Sequence, residues 1–73
     1  MGSSLNLPSV IANGQALSVN FPCTVAGFLV QVGMLPRSVV VELNGEAVAP
    51  SEFAARPLQP GDRLEIVRIV AGG

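Results

Sequence analysis

The residues best suited to chemistry lie at the end of the printed sequence, where Ala71 is followed by Gly72 and Gly73. Because glycine has no Cβ, this ending leaves a carboxylate on Gly73 unhindered and lets the backbone enter a channel too narrow for other residues. A carboxylate presented in this way can be activated as an acyl group. We therefore interpret Gly73 as the reacting residue and residues 71–73 as a flexible tail that presents it to a partner. Truncation of a longer chain could also produce such an ending.

The composition excludes most self-contained catalytic sites. The sequence contains no histidine, no lysine and a single cysteine, Cys23. Zinc sites need several His or Cys ligands, Ser-His-Asp hydrolysis needs an imidazole, and Schiff-base chemistry needs a lysine. The carboxylates form no recognised constellation. We therefore expect a protein that is not an enzyme, binds no metal and holds no cofactor of its own. For Cys23 we favour a small apolar residue at a helix entry over a reactive thiol.

Length and charge predict one domain spanning residues 1–73, in which residues 1–7 are a leader of doubtful origin. Charged residues make up 12% of the chain, hydrophobic residues 49%, and the formal net charge is −1. Such a chain offers no basic surface for nucleic acid, and no apolar run approaches the roughly 18 residues that cross a membrane. The first residues lack the pattern of a signal peptide, which favours a cytoplasmic protein. The apolar surplus indicates a partner-binding surface.

A hairpin and a helix are predicted in the first half of the chain. Asn13-Gly14 is a strong signal for a type I′ turn between two strands, the first of which begins after Pro8. The hydroxyl of Thr24 can cap a helix over residues 25–32, whose apolar side chains recur at helical spacing. Gly33 suits the position just after that helix. The apolar stripe, which comprises Val25, Phe28, Leu29 and Val32, predicts a helix packed across a sheet.

The second half of the chain is predicted to form strands joined by turns. A strand over residues 38–43 is followed by a second Asn-Gly turn at Asn44-Gly45 and a short strand over 46–49. A turn of helix then places Phe53 inward. The prolines and glycine of residues 57–62 predict irregular structure, with Leu58 as a buried anchor. A final strand is expected over residues 63–70.

This order of elements predicts an α+β protein with the β-grasp fold, a mixed sheet with one main helix packed on one face. The last strand would lie parallel to the first, in the centre of the sheet. Alternation then places Leu64 and Ile66 under the helix. Val67 and Ile69 face outward and, with Val40, form an apolar patch that leads to the tail. The alternative is that these three residues merely widen a small core.

Two segments resemble a known family. Residues 41–50, VELNGEAVAP, and residues 58–73, LQPGDRLEIVRIVAGG, closely resemble the sulfur-carrier proteins of thiamin biosynthesis, the ThiS family, and the similarity covers roughly residues 10–73. The family has the Asn-Gly hairpin, the Thr-capped helix, the Pro-Gly-Asp turn and the final Val-Ala-Gly-Gly in this order. Only the last of these elements carries chemistry.

The resemblance implies a protein cosubstrate and three partners. An adenylating enzyme of the E1 type would use ATP to adenylate Gly73. A sulfur donor relay of the cysteine desulfurase type would convert the adenylate to a thiocarboxylate. Thiazole synthase would then accept the sulfur. Ala71 and Gly72 would be presented to these enzymes together with Gly73.

Other functions stay open at this point. The small subunit of molybdopterin synthase has the same fold and a Gly-Gly end, but prolines usually precede its glycines and residues 69–71 contain none. A ubiquitin-like modifier conjugated to target lysines is a third interpretation. A β-grasp interaction module with an inert tail is a fourth, and it belongs to a different functional class.

Overall fold

A computed structural model describes residues 7–70 of the chain. The predicted tail, Ala71, Gly72 and Gly73, lies outside the described residues, as does all of the predicted leader except Leu7. The predictions made for the tail therefore remain predictions.

The chain forms seven strands and one α-helix within the described residues. In chain order these are β1 (Ser9–Ala12), β2 (Gln15–Ser18), β3 (Cys23–Thr24), α1 (Val25–Gln31), β4 (Val39–Leu43), β5 (Glu46–Val48), β6 (Pro57–Leu58) and β7 (Arg63–Arg68). Single turns of 3₁₀-helix occupy Pro36–Ser38 and Pro50–Glu52.

The main sheet has the strand order β2-β1-β7-β4-β5. The last strand, β7, lies in the centre, parallel to β1 and antiparallel to β4. Both hairpins flank it, so the first and last strands of the chain are neighbours. The predicted α+β fold, with a mixed sheet of β-grasp topology and a central parallel pair, is confirmed.

Both predicted Asn-Gly turns are present. Asn13 has φ 50° and Gly14 has φ 83°, while Asn44 has φ 51° and Gly45 has φ 86°. Positive φ at both central residues is what a type I′ turn requires, and it matches the twist of the flanking strands. The two hairpins therefore begin from turns that the local sequence specifies.

Helix α1 starts and ends close to the predicted residues. The Thr24 hydroxyl accepts a hydrogen bond from the backbone N–H of Gly27 at 3.1 Å, as expected of an N-cap. The helix ends at Gln31, one residue earlier than predicted. Val32 is its C-cap, and Gly33 follows with φ 76°. The helix therefore lies where its cap and the following glycine predict.

The core lies between α1 and one face of the sheet. Its side chains come from the helix, from alternate positions of the strands and from two anchors in the loops, Phe53 and Leu58. The buried residues are Val10, Ala12, Val19, Val25, Phe28, Leu29, Val39, Val41, Leu43, Val48, Phe53, Leu58, Leu64 and Ile66. The predicted inward positions of the last strand and both loop anchors are confirmed.

The prediction is wrong for the segment at Pro57 and for the end of the last strand. Pro57 and Leu58 form the short strand β6, which pairs antiparallel with β3 through Cys23↔Leu58 and Thr24↔Pro57, whereas irregular structure was predicted there. The pairing joins residues far apart in sequence, and proline is tolerated at the edge of a ladder. The last strand ends at Arg68 rather than at Val70, although Ile69 still donates its N–H to the Ser38 carbonyl at 2.8 Å.

No helix within residues 7–70 is both long and apolar enough to cross a membrane.

Candidate functional site

Strand β7 is the last described element before the glycines in sequence, so it is the element that can position the candidate site. On one side it pairs with β4 from Leu43↔Leu64 to Val39↔Arg68. The bond from Ile69 to Ser38 extends this support by one residue. Main-chain pairing therefore reaches Ile69, shortly before the tail.

Two asparagine side chains also hold β7. The Asn13 carboxamide donates to the Ile66 carbonyl at 3.0 Å and accepts from the Ile66 N–H at 2.7 Å. The Asn44 Oδ1 accepts from the Arg63 N–H at 2.9 Å, and its Nδ2 donates to Oδ1 of Asp62 at 3.1 Å. The sequence predicted both asparagines as turn residues and missed these contacts. The choice of Asn rather than Gly at both turns is the signal that could have indicated them.

The predicted apolar patch, Val40, Val67 and Ile69, lies on the sheet surface opposite α1. The exposed fractions of these side chains are 50%, 61% and 53%. Val40 and Val67 are directly paired across β4 and β7, so they form a continuous surface. These exposures disagree with the alternative that the three residues widen the core. Binding of a partner by the patch remains a prediction.

The patch extends toward the tail. Val70 is 86% exposed and follows Ile69 directly in the chain. Three apolar side chains are thus solvent-exposed over the last four described residues, Val67 to Val70. An exposed apolar surface at the base of the tail is what a protein-docking site provides.

Within residues 7–70, the groups that could catalyse a reaction are not gathered together. No cluster of three or more His, Cys, Asp or Glu side chains that could hold a metal ion occurs there. Cys23 is half-buried, and its Sγ lies 3.3 Å from the Thr24 carbonyl, to which the thiol donates. Arg56 pairs with Glu46 at 3.3 Å on the surface, where such a pair adds little stability.

A five-stranded β-grasp sheet with a parallel central pair, covered by one helix and carrying an apolar patch beside its last strand, defines the ubiquitin-like class of carrier domains. The model of the ThiS family matches residues 9–73, which is most of the chain. The chain belongs to the ThiS family, whose members are small sulfur carriers of thiamin biosynthesis.

Solved structures agree with this assignment. The crystal structure of the thiamine biosynthesis protein ThiS from Geobacter metallireducens matches with a TM-score of 0.75 and 28% identity, covering 89% of this chain and 99% of that one. An NMR solution structure of a thiamine biosynthesis protein from the same organism matches with a TM-score of 0.73 and 28% identity, covering 89% and 87%.

Two curated relatives are proteins named thiazole synthase. The one from Paramagnetospirillum magneticum is 36% identical over 64 residues, which is 88% of this chain and 20% of that protein. The one from Magnetococcus marinus is 33% identical over 61 residues, which is 84% of this chain and 19% of that protein. This chain therefore spans about a fifth of the length of these relatives.

Proposed function

We propose that this protein carries sulfur for thiazole formation in thiamin biosynthesis, with the carboxylate of Gly73 as the group that is activated and loaded. The observation that carries the proposal is the central position of β7 in a scaffold of the ThiS family. This strand bears Val67, is followed directly by Ile69, and continues toward the glycines. Docking of the apolar patch would therefore bring the tail to the partner.

The proposed chemistry begins with adenylation by an E1-like partner. The Gly73 carboxylate attacks the α-phosphate of ATP and pyrophosphate leaves. A free carboxylate is a poor electrophile, whereas its adenylate carries a good leaving group, so one difficult step becomes two easier ones. The persulfide sulfur of a sulfur donor relay of the cysteine desulfurase type then displaces AMP to form an acyl disulfide, and a thiol cleaves this disulfide reductively to leave the thiocarboxylate. The resulting thiocarboxylate is a softer and stronger nucleophile than the carboxylate.

The two glycines have a geometric role in this proposal. The partner must align the acyl carbon of Gly73 with the α-phosphate, and a side chain on Gly72 or Gly73 would displace it. A displacement of about 1 Å can cost roughly 100-fold in rate. The carrier therefore supplies an unhindered acyl group, and the partner supplies the catalytic groups.

Thiazole synthase is the proposed acceptor of the sulfur. Both relatives with that name include a segment similar to this chain within a much longer protein. Such an arrangement would keep a carrier domain close to the synthase that uses it, which raises the effective concentration of one toward the other. We propose the same functional pairing for this chain, in the cytoplasm.

The test is to append one alanine after Gly73 and to follow exchange of pyrophosphate into ATP by the activating enzyme. The appended residue moves the carboxylate away from the α-phosphate, so we expect exchange to fall by at least about 100-fold. A chain with one alanine added before Met1 is the matched control and should react normally. Exchange at the normal rate with the C-terminal extension would show that the tail mechanism is wrong.

A second measurement separates this function from its alternatives. Mass spectrometry of protein purified from its own cell should find a C-terminal peptide ending in Gly73, with one oxygen replaced by sulfur. An unmodified terminus under conditions of thiamin demand would favour an interaction module with an inert tail. Co-purification with molybdopterin synthase rather than thiazole synthase would move the carrier to the other pathway.

A further inference from the structure

We propose that Asn13 is a positioning residue, whose side chain aligns the end of β7 for presentation of Gly73. The proposal rests on the proposed function, because its measured effect is on adenylation of Gly73. It adds a role for a residue in the first hairpin, far from the glycines in sequence.

Strand β1 supports only the beginning of β7. The parallel pairing consists of Ile11↔Arg63 and Ala12↔Leu64, and the Asn13 N–H then donates to the Leu64 carbonyl at 2.8 Å. After Asn13 the chain turns away into the hairpin. The backbone of β1 therefore cannot pair with Ile66.

The carboxamide of Asn13 takes the place of the missing backbone at Ile66. A primary amide presents one acceptor and two donors in a plane, and here it bonds both the N–H and the carbonyl of Ile66, at 2.7 and 3.0 Å. These are the two groups that a neighbouring strand would engage. The side chain thus extends the β1 side of the ladder by one step.

Beyond Ile66, the described backbone pairs of β7 lie on its β4 side. Ile69 and Ser38 face each other across the ladder and are hydrogen-bonded. Hydrogen-bonded and non-hydrogen-bonded pairs alternate along an antiparallel ladder. The neighbouring pair, Arg68 and Val39, is therefore a non-hydrogen-bonded pair. The N–H and carbonyl of Arg68 therefore point to the side where β1 has already ended. Asn13 marks the last point at which β7 is held from both sides.

By bonding Ile66, the side chain of Asn13 restricts the direction in which the following residues leave the sheet. Val67 and Ile69 of the apolar patch lie one and three residues after Ile66, and Gly73 lies seven residues after it. Loss of the carboxamide would leave the end of β7 supported by β4 alone. The partner would still find the patch, but the chain beyond it would reach the α-phosphate in the productive geometry less often.

Asn44 provides a matched comparison. It occupies the same position in the same type of turn, with φ 51° against 50° for Asn13, and it also bonds β7. Its contact is to Arg63 at 2.9 Å, where the strand begins, on the side away from the tail. Removing either side chain should cost similar stability, but only Asn13 acts near the point where the tail leaves.

The experiment compares N13G and N44G in the full chain as substrates of the activating enzyme. Glycine keeps the positive φ of the turn and removes only the side chain. We expect N13G to lower kcat for pyrophosphate exchange about tenfold with KM nearly unchanged, and N44G to leave kcat within twofold of the unsubstituted chain. A purely structural role would reduce the folded fraction, which raises the apparent KM and leaves kcat unchanged. Equal kcat values for the two variants would overturn the proposal.

Hydrogen exchange gives an independent readout. In N13G the Ile66 amide should lose protection while the amide of Val41 in β4 keeps its own. If N13G does not fold, N13D and N44D provide the same comparison, because Asp retains the acceptor and the volume but lacks the donor. If the unsubstituted chain itself supports no exchange of pyrophosphate, the proposed function has failed. If it reacts and the paired variants behave alike, only the role of Asn13 has failed.

Discussion

At the scale of single residues, the two asparagines each perform two tasks. Asn13 and Asn44 adopt the left-handed conformation that a type I′ turn needs, with φ of 50° and 51°. Glycine could also do this, but it has no side chain, and aspartate could do it but lacks an N–H donor. Asparagine provides both the turn and a bond to the central strand. Each residue therefore couples a local turn to the long-range order of the sheet.

Thr24 allows a quantitative test at this scale. Its hydroxyl accepts from the Gly27 N–H at 3.1 Å, one of the donors that a helix start leaves unpaired. Thr24→Ala should lower the free energy of unfolding by about 1 kcal/mol, or roughly 4–8 °C in Tm for a domain of this size. Thr24→Ser, which keeps the hydroxyl, should lie close to the unsubstituted protein. Equal Tm values for the two variants would show that the cap contributes nothing.

At the scale of elements, the two faces of β7 differ in burial. Leu64 and Ile66 are 1% and 7% exposed, whereas Val67 and Ile69 are 61% and 53% exposed. Successive side chains of a strand point to opposite faces. One strand therefore contributes both to the core and to the apolar patch, and the two contributions can be removed independently.

The double variant V67A/I69A tests this separation. Because both side chains are largely exposed, their truncation should change stability by less than about 1 kcal/mol, while the affinity for the activating enzyme should fall about tenfold or more. Leu64→Ala is the contrasting variant and should cost about 2–5 kcal/mol through the cavity that it leaves. Calorimetry and a binding titration give both quantities. Unchanged affinity of V67A/I69A would remove the patch from the interface, and a collapse of its stability would place it in the core.

Most of the elements predicted correctly from sequence are specified by near neighbours, whereas the central parallel pair was predicted from the order of the elements. Both type I′ turns, the cap at Thr24 and the alternation along the last strand depend on residue types within a few positions. The β3 and β6 pair was missed because Cys23 and Leu58 are far apart in sequence and no local pattern specifies their pairing. The bonds of Asn13 to Ile66 were missed for the same reason, since 53 positions separate the two residues.

Some features of the candidate site were predicted from the sequence, and others were found only in the structure. Exposure of Val40, Val67 and Ile69 followed from strand alternation and the expected topology, and the structure agrees with it. The expected role of Gly73 depends on residue type alone, because the tail lies outside the described residues. The support of β7 by Asn13 could be found only in the structure, because a side chain that bonds the edge of a strand leaves no periodic pattern in the sequence.

At the scale of the whole molecule, the described residues bury one core that joins the helix, the sheet and the loops. The helix and the buried face of the sheet share one cluster, and loop residues such as Phe53 and Leu58 join it. Within residues 7–70, all buried side-chain nitrogen and oxygen atoms have hydrogen-bond partners. The fold should therefore be independent of the residues proposed to carry the chemistry.

Truncation tests this independence. A chain that ends at Val70 lacks Ala71, Gly72 and Gly73 and should unfold within about 4 °C of the full chain, a shift that corresponds to less than about 1 kcal/mol. It should support no exchange of pyrophosphate. A chain that ends at Asp62, before β7, is the contrasting truncation and should be unfolded by circular dichroism. A large loss of Tm on removal of the three residues would mean that they contribute to the fold.

The adjacency of β1 and β7 also bears on the synthesis of the protein. A ribosome that has completed both hairpins has not yet made the strand that joins them, so the nascent chain exposes two apolar half-sheets with an unfilled gap. Products of premature termination before Arg63 cannot close that gap, and their uncovered surfaces would make them targets for proteases. The molecules that survive are therefore those translated at least through the central strand, β7.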